Sequence, residues 1–366
     1  MILTLTNFLF YNLIFFVLYK LKKIQLNLLI FFIFFLSSVF FINGFLMEPG
    51  YMPDQDAYLL LMTSIRKLNF YFLEEFHLNL SDRTFIASGF MTLVPAIFIN
   101  SITDIALSQK FLYLITLLYL YKKKTLNNYS FAVLFFLPSI ILYTGLALKE
   151  SLLFSLVSLG FYFSVKKKFF FSICCYVILA IIKPLVFAMC ISFNLFYLIF
   201  FHYKIYFNLK IVLFILIAII GFLAVLLNIE IINSELNQRR LIESIYDRKL
   251  EAPIAVNLTD IKSLSSLFVF SFGNFLFNPN IISSSNLFQF IQSLENLFVL
   301  VLLCFNFAFC YRLNKFKAVF WTSFFLIGMF VIGSTVFNAG TLSRWKIEIL
   351  SYYIFYINYT CSKLKI

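Results

Sequence analysis

Apolar runs long enough to cross a bilayer recur from one end of this chain to the other, separated by short clusters of lysine. A run such as LNLLIFFIFFLSSVFFINGFL over Leu26–Leu46 reads as a membrane-spanning helix. Of the 366 residues, 62% are hydrophobic and only 12% charged, which leaves no stretch for a soluble domain. The formal net charge of +13 is gathered between the apolar runs. That is the distribution expected of cytoplasmic loops, and it forms no groove for nucleic acid.

The basic clusters set the expected topology. Lys20, Lys22 and Lys23 close a first crossing over Thr4–Tyr19, which has no small-residue cleavage site and reads as a retained helix. Leu26–Leu46 returns outward to a first extracytoplasmic loop, residues 47–84, in which Ala57–Phe72 is amphipathic enough to lie along the interface. Thr84–Asn100, interrupted by Gly89 and Pro95, reads as a re-entrant or interfacial segment, and Asp104–Tyr121 as a crossing to Lys122–Lys124. Tyr129–Gly145 then goes out, Leu148–Val165 comes in to Lys166–Lys168, and Phe169–Ile182 goes out to Lys183-Pro184. Leu185–Phe201 comes in and Ile211–Leu227 leads to a second extracytoplasmic loop, residues 228–263. Leu264–Ile282 dips and returns, Leu287–Tyr311 comes in, Phe320–Phe337 goes out and Trp345–Cys361 comes in. The expectation is an all-α polytopic membrane protein, one integral domain over residues 1–366. It has about eleven transmembrane helices plus re-entrant or interfacial ones.

Polar residues inside such a chain are the informative ones. The six cysteines include no CxxC pair and there are only two histidines, so no disulfide framework, metal site or cofactor is expected. Lys149 and Glu150 stand side by side in the first turns of an apolar helix, where ionisable groups are functional candidates by default. The competing reading is an ion-pair network between helices. Asp54 and Asp56 follow Pro53 at the membrane surface; they can accept a proton from a hydroxyl, or one of them can cap the helix. Lys183 precedes a helix-breaking proline and sits at the outer surface or in a cavity, or snorkels to water.

The turn NAGTLSR, Asn338–Arg344, combines Gly340, free to adopt an unusual backbone angle, with Thr341 or Ser343 as cap of the helix that follows. Arg344 in the first turn of that helix would oppose the macrodipole unless an anion shares the site. A plain link to a carboxylate is the alternative. Arg239 and Arg240 lie in the second loop among acidic residues and read first as a solvated helix. Glu295, a lone carboxylate near the outer end of an apolar helix, is expected to be paired, and it and Arg83 are given a structural or supporting part.

In order, the D-x-D of the outer loop, the A-L-K-E of Ala147–Glu150, the Lys183-Pro184 break, the S-L-E-N of Ser293–Asn296 and the closing N-x-G-T-x-x-R resemble the Wzy-type repeat-unit polymerases of O-antigen and capsule. More loosely they resemble the GT-C class of lipid-linked glycosyltransferases. The resemblance implies a GT-C-like protein of the bacterial inner membrane. It would join undecaprenyl-diphosphate-linked oligosaccharides on the extracytoplasmic face, beside a flippase and a chain-length regulator of the same pathway. It implies that Lys149, Lys183 and Arg344 hold the diphosphate, helped by Arg239, Arg240, Asn338, Gly340 and Thr341. It also implies that Asp54, Asp56 or Glu150 deprotonates the attacking hydroxyl. Two of the three diphosphate contacts are lysine where the family commonly has arginine. A transferase adding one sugar from a polyprenyl-phosphate donor, and a flippase or exporter of lipid-linked oligosaccharide, are the alternatives; charges gathered towards one surface count against the flippase.

Overall fold

Helices form wherever the apolar runs lie, and they stop where lysine clusters or prolines interrupt them. The computed structural model describes residues 2–47, 52–68, 82–202, 261–282, 284, 287–336 and 339–362, with scattered positions between 209 and 238. All regular structure among them is helical. Four helices there are long and apolar enough to cross a membrane, Ile2–Lys20, Leu26–Leu46, Gln289–Leu313 and Lys315–Ser334. A fifth arises if Asn128–Phe136 and Pro138–Gly145 are one broken span. Most of the second long loop, with Arg239 and Arg240, and also Asn338, lies outside the described residues.

The chain divides after Ala188 into two compact units. The first holds α1 (Ile2–Lys20), α2 (Leu26–Phe41) extended by a π-helical turn Ile42–Leu46, α3 (Pro53–Arg66) and α4 (Asp82–Thr92). It continues with α5 (Ile102–Lys122), α6 (Asn128–Phe136), α7 (Pro138–Gly145), α8 (Glu150–Val165) and α9 (Phe169–Ile182). The segment expected to cross over Tyr129–Gly145 is two helices, α6 and α7, bent by 61°. Pro138 forces Leu137 into an extended conformation (φ −64°, ψ 122°) that no helix can continue through.

Side-chain pairings give the directions of these helices. Thr4 meets Ser101, Asn7 meets Asp104, and Tyr11 stacks on Phe111. The partners advance together, so α1 and α5 run parallel. Tyr113 packs on Phe154, Thr116 bonds Ser155 at 2.9 Å, and Tyr119 packs on Tyr162, which makes α8 parallel to α5. Helix α9 turns back along α8, with Ser172 bonded to Ser164 and the Tyr176 ring pressed against Gly160.

The three parallel helices share one ending. Lys22, Lys124 and Lys167 each take a left-handed backbone, with φ 55°, 54° and 60°. In each case the N–H of that residue bonds back three positions and the next N–H bonds back five. This is a Schellman cap, whose left-handed position normally belongs to glycine. Lysine there costs roughly 1–2 kcal/mol of backbone strain, offset in part by a cation at the negative end of a helix dipole.

Of the stretch Thr84–Asn100 read as re-entrant or interfacial, the part up to Thr92 is helix α4 and the rest, leading to α5, is irregular. Its carbonyls are satisfied by side chains from elsewhere in the unit. Arg66 donates to those of Thr92, Val94 and Ala96, Tyr11 to that of Pro95, and Asn7 to that of Phe98. Non-helical backbone at membrane depth persists only when paired in this way.

The second unit contains most of α10 (Pro184–Tyr197), then α11 (Ile261–Phe277), α12 (Leu287–Leu313), α13 (Lys315–Thr335) and α14 (Ala339–Ser362). The expected dip and return over Leu264–Ile282 is one helix, α11, followed by a turn. Gly333 of α13 lies so close to α11 that a Cβ there would stand 2.0 Å from the Ser271 carbonyl oxygen. Close backbone approach through small residues drives helix association where lipid removes the hydrophobic effect.

Candidate functional site

A concentration of buried polar groups lies in the first unit, where the chain breaks between α7 and α8. Leu146, Ala147 and Leu148 in that break are fully enclosed, so the backbone there depends on neighbours for its hydrogen bonds. Asn43, on the π-helical turn after α2, donates to the Gly145 carbonyl at 2.8 Å. Lys110 of α5, with no exposed surface, donates to the Ile141 carbonyl at 2.5 Å and stands 3.9 Å above the Phe35 ring. A cation thus meets the carbonyl end of α7, where the helix dipole favours it. A Cβ on Gly145 would lie 2.6 Å from the Ile42 Cδ1 and 3.4 Å from the lysine nitrogen, so a larger residue there would displace the end of the Ile42 side chain.

Across the break α8 begins with Lys149 as its N-cap and Glu150 as its first residue. Glu150 is only 3% exposed and sits at the positive end of its helix. The parallel register of α5 and α8 brings Gln109 and Lys110 level with Glu150 and Ser151. Gln109 shares a helix face with Tyr113 and Thr116, the two residues that meet α8. Both ends of its buried amide lack a hydrogen-bond partner among the described residues, as do the Ser151 hydroxyl and the Asn43 oxygen. Buried polar atoms are nearly always paired, so four such atoms around one break mark a place suited to polar ligand atoms. Lys183, at the far end of the returning α9, comes level with the first turn of α8, and its side chain is half-buried.

The other expected residues fall elsewhere. Asp54 and Asp56 are exposed in the first turn of α3, whose N-cap is Met52 and not either aspartate. Gln55 between them is the buried one, accepting from the Met52 N–H. Arg83 is exposed at the start of α4. In the second unit, α14 begins at Ala339. Gly340 and Thr341 are therefore helical, with no special turn, and Arg344 lies in the second turn, where the dipole has largely faded.

Two residues from that segment take a part that the sequence reading missed. Lys346 donates to Asn296 at 2.7 Å and to the Asn278 carbonyl at 3.2 Å, with Glu295 as its electrostatic neighbour. Asn296 in turn donates to the Pro279 carbonyl, and Glu348 is buried one turn below Arg344. Glu295 therefore belongs to a polar knot joining α12, α14 and the turn after α11. Lys110 and Lys346 each stand among polar neighbours in sequence, DIALSQK and SRWKIE, so no local pattern set them apart.

No family model matches the chain, and neither does any curated protein or solved structure.

Proposed function

We propose that the chain transfers glycosyl units between lipid-linked oligosaccharides, acting as a repeat-unit polymerase at the extracytoplasmic end of its first unit. The eleven-crossing GT-C-like architecture and the inner-membrane location belong to this reading. The observation that carries it is the break between α7 and α8, where Asn43, Gln109, Lys110, Glu150 and Ser151 gather in the interior of a membrane protein. Glu150 takes the proton from an acceptor hydroxyl as its oxygen attacks the anomeric carbon of the donor sugar. The bond from that carbon to the diphosphate oxygen breaks, and the undecaprenyl diphosphate leaves with its electron pair. Lys149 and Lys183 meet the diphosphate as point charges, and the amide and hydroxyl groups of Gln109, Asn43 and Ser151 bind sugar hydroxyls. Asp54 and Asp56, being exposed, have the weaker claim as base.

A second reading has an observation of its own. Broken helices with paired charges also form the substrate sites of transporters, which favours a flippase of the same lipid-linked oligosaccharide. Purified protein in vesicles, given undecaprenyl-diphosphate-linked repeat units, distinguishes the two. A ladder of longer products that vanishes in Glu150→Gln supports the polymerase. A single addition points to the one-sugar transferase, and movement of lipid across the bilayer with no new bond refutes glycosyl transfer.

A further inference from the structure

The opposite end of the first unit carries a different chemistry. Helices α1, α5 and α8 run parallel, so their lysine-rich endings, Lys20, Lys22 and Lys23, then Lys122–Lys124, then Lys166–Lys168, lie at one end. Between the first two clusters is a cleft of about 490 Å³ lined by Tyr19, Lys20, Lys22, Ile24, Gln25 and Lys122. No carboxylate among the described residues pairs with these three lysines; the recorded contact of the Lys20 ammonium is the Phe16 ring at 5.3 Å. The backbone that carries them is held firmly, because Lys22 sits in the left-handed position of a Schellman cap and Lys122 in the last turn of α5. Three cations around one concave site, unneutralised by protein, call for an anion of more than one charge.

We propose that this cleft binds a phosphate-bearing anion, either the headgroup of an anionic phospholipid or a free phosphate compound, between Lys20, Lys22 and Lys122. Tyr19 and Gln25 offer a hydroxyl and an amide to its oxygens. The other lysines of that end form a solvated surface attracted to the inner leaflet without selecting a molecule. The site is independent of the glycosyl-transfer reading, since it lies at the other end of the helices and shares none of its residues.

The test uses the full-length protein in nanodiscs of phosphatidylcholine with a small fraction of phosphatidylglycerol, and counts retained phosphatidylglycerol by native mass spectrometry. The variant Lys20→Gln/Lys22→Gln/Lys122→Gln is expected to weaken retention on the order of a hundredfold, because it removes the direct charge-assisted hydrogen bonds to the phosphate. Lys166→Gln/Lys167→Gln/Lys168→Gln removes the same charge at the same end outside the cleft, and is expected to leave retention within a few-fold. Equal losses in the two variants overturn the site and leave only diffuse attraction. In detergent without lipid, saturable binding of inorganic pyrophosphate that the cleft variant loses assigns the site to a free phosphate compound. Phosphatidylglycerol retention that pyrophosphate does not displace assigns it to lipid. Saturable binding of neither refutes the proposal. Matching thermal midpoints of the two variants show that both are folded.

Discussion

Replacing Lys110 by methionine separates the cost of burying a charge from its purpose. In the parent the ammonium gains a charge-assisted hydrogen bond to the Ile141 carbonyl, worth about 1.5–3 kcal/mol, and a desolvated contact with the Phe35 ring, worth about 2 kcal/mol. The dipole of α7 adds part of roughly 2 kcal/mol more, overlapping with the hydrogen bond. Against these stands a desolvation penalty of several kcal/mol for an ion with no exposed surface. The two sides nearly cancel. Methionine, close in volume and flexible, loses both, so stability should change by less than about 1.5 kcal/mol in either direction. A protein of this size shifts by roughly 2–4 °C per kcal/mol, so the thermal midpoint in detergent should stay within about 6 °C of the parent. Turnover of lipid-linked oligosaccharide should nevertheless fall at least tenfold, about 1.4 kcal/mol, because the charge that orders the break is gone. Thermal melts and product ladders on matched protein measure both. A large drop in midpoint with specific activity unchanged would refute the reasoning, since Lys110 would then be a structural cap alone. Lys110→Glu, which sets a carboxylate against carbonyl oxygens, should fail to accumulate.

Asn7→Ala should lower stability by about 2–4 kcal/mol in thermal melts. That amide donates to Phe98 and Asp104 and accepts from the N–H groups of Ile97 and Phe98, and alanine leaves all four partners short. Gly333→Ala should reduce folded protein on size-exclusion chromatography far more than Gly273→Ala, where a Cβ meets nothing within 4 Å. Reporter fusions after Lys123 and Lys167 should be cytoplasmic and one after Arg83 extracytoplasmic; opposite sides for Lys123 and Lys167 would end the parallel arrangement of α5 and α8 as spans.

Helix positions in the first unit were legible because an apolar run and a lysine cluster report the same boundary from two sides. The break at Glu150 was equally visible, as charges inside an apolar run. What the sequence hid is the company those charges keep. Lys110 lies in a segment, DIALSQK, whose polar residues look like an ordinary helix surface; only the register against α8 turns Gln109 inward. The Asn7–Asp104 knot joins residues 97 apart, and no local pattern announces such a pairing. Gly340 was misread for the opposite reason. Glycine is common inside membrane helices, so a glycine among polar neighbours did not require a turn. The bend at Pro138 was written in the sequence, since proline displaces the residue before it from helical angles.

The parallel arrangement explains why polar groups collect where they do. Three helices running the same way put three carbonyl ends, with their partial negative charges, at one face, and lysines are the natural complement there. The other face receives three N-terminal ends whose first N–H groups find no carbonyl within their own helix, and the chain must return to it after every crossing. The returning segments arrive as the irregular stretch after α4 and the break before α8, and both need side chains to satisfy their backbone. Asn7, Tyr11 and Arg66 meet that need in the first case and leave little over. Asn43 and Lys110 meet it in the second, yet the Asn43 oxygen, the Gln109 amide and the Ser151 hydroxyl keep bonding capacity beyond it. The two ends therefore differ in kind, one a lysine surface made by caps and the other a polar interior. Of these two segments, the break before α8 is the one that keeps, among the described residues, both a charge and spare hydrogen-bonding groups, as the proposed glycosyl transfer requires.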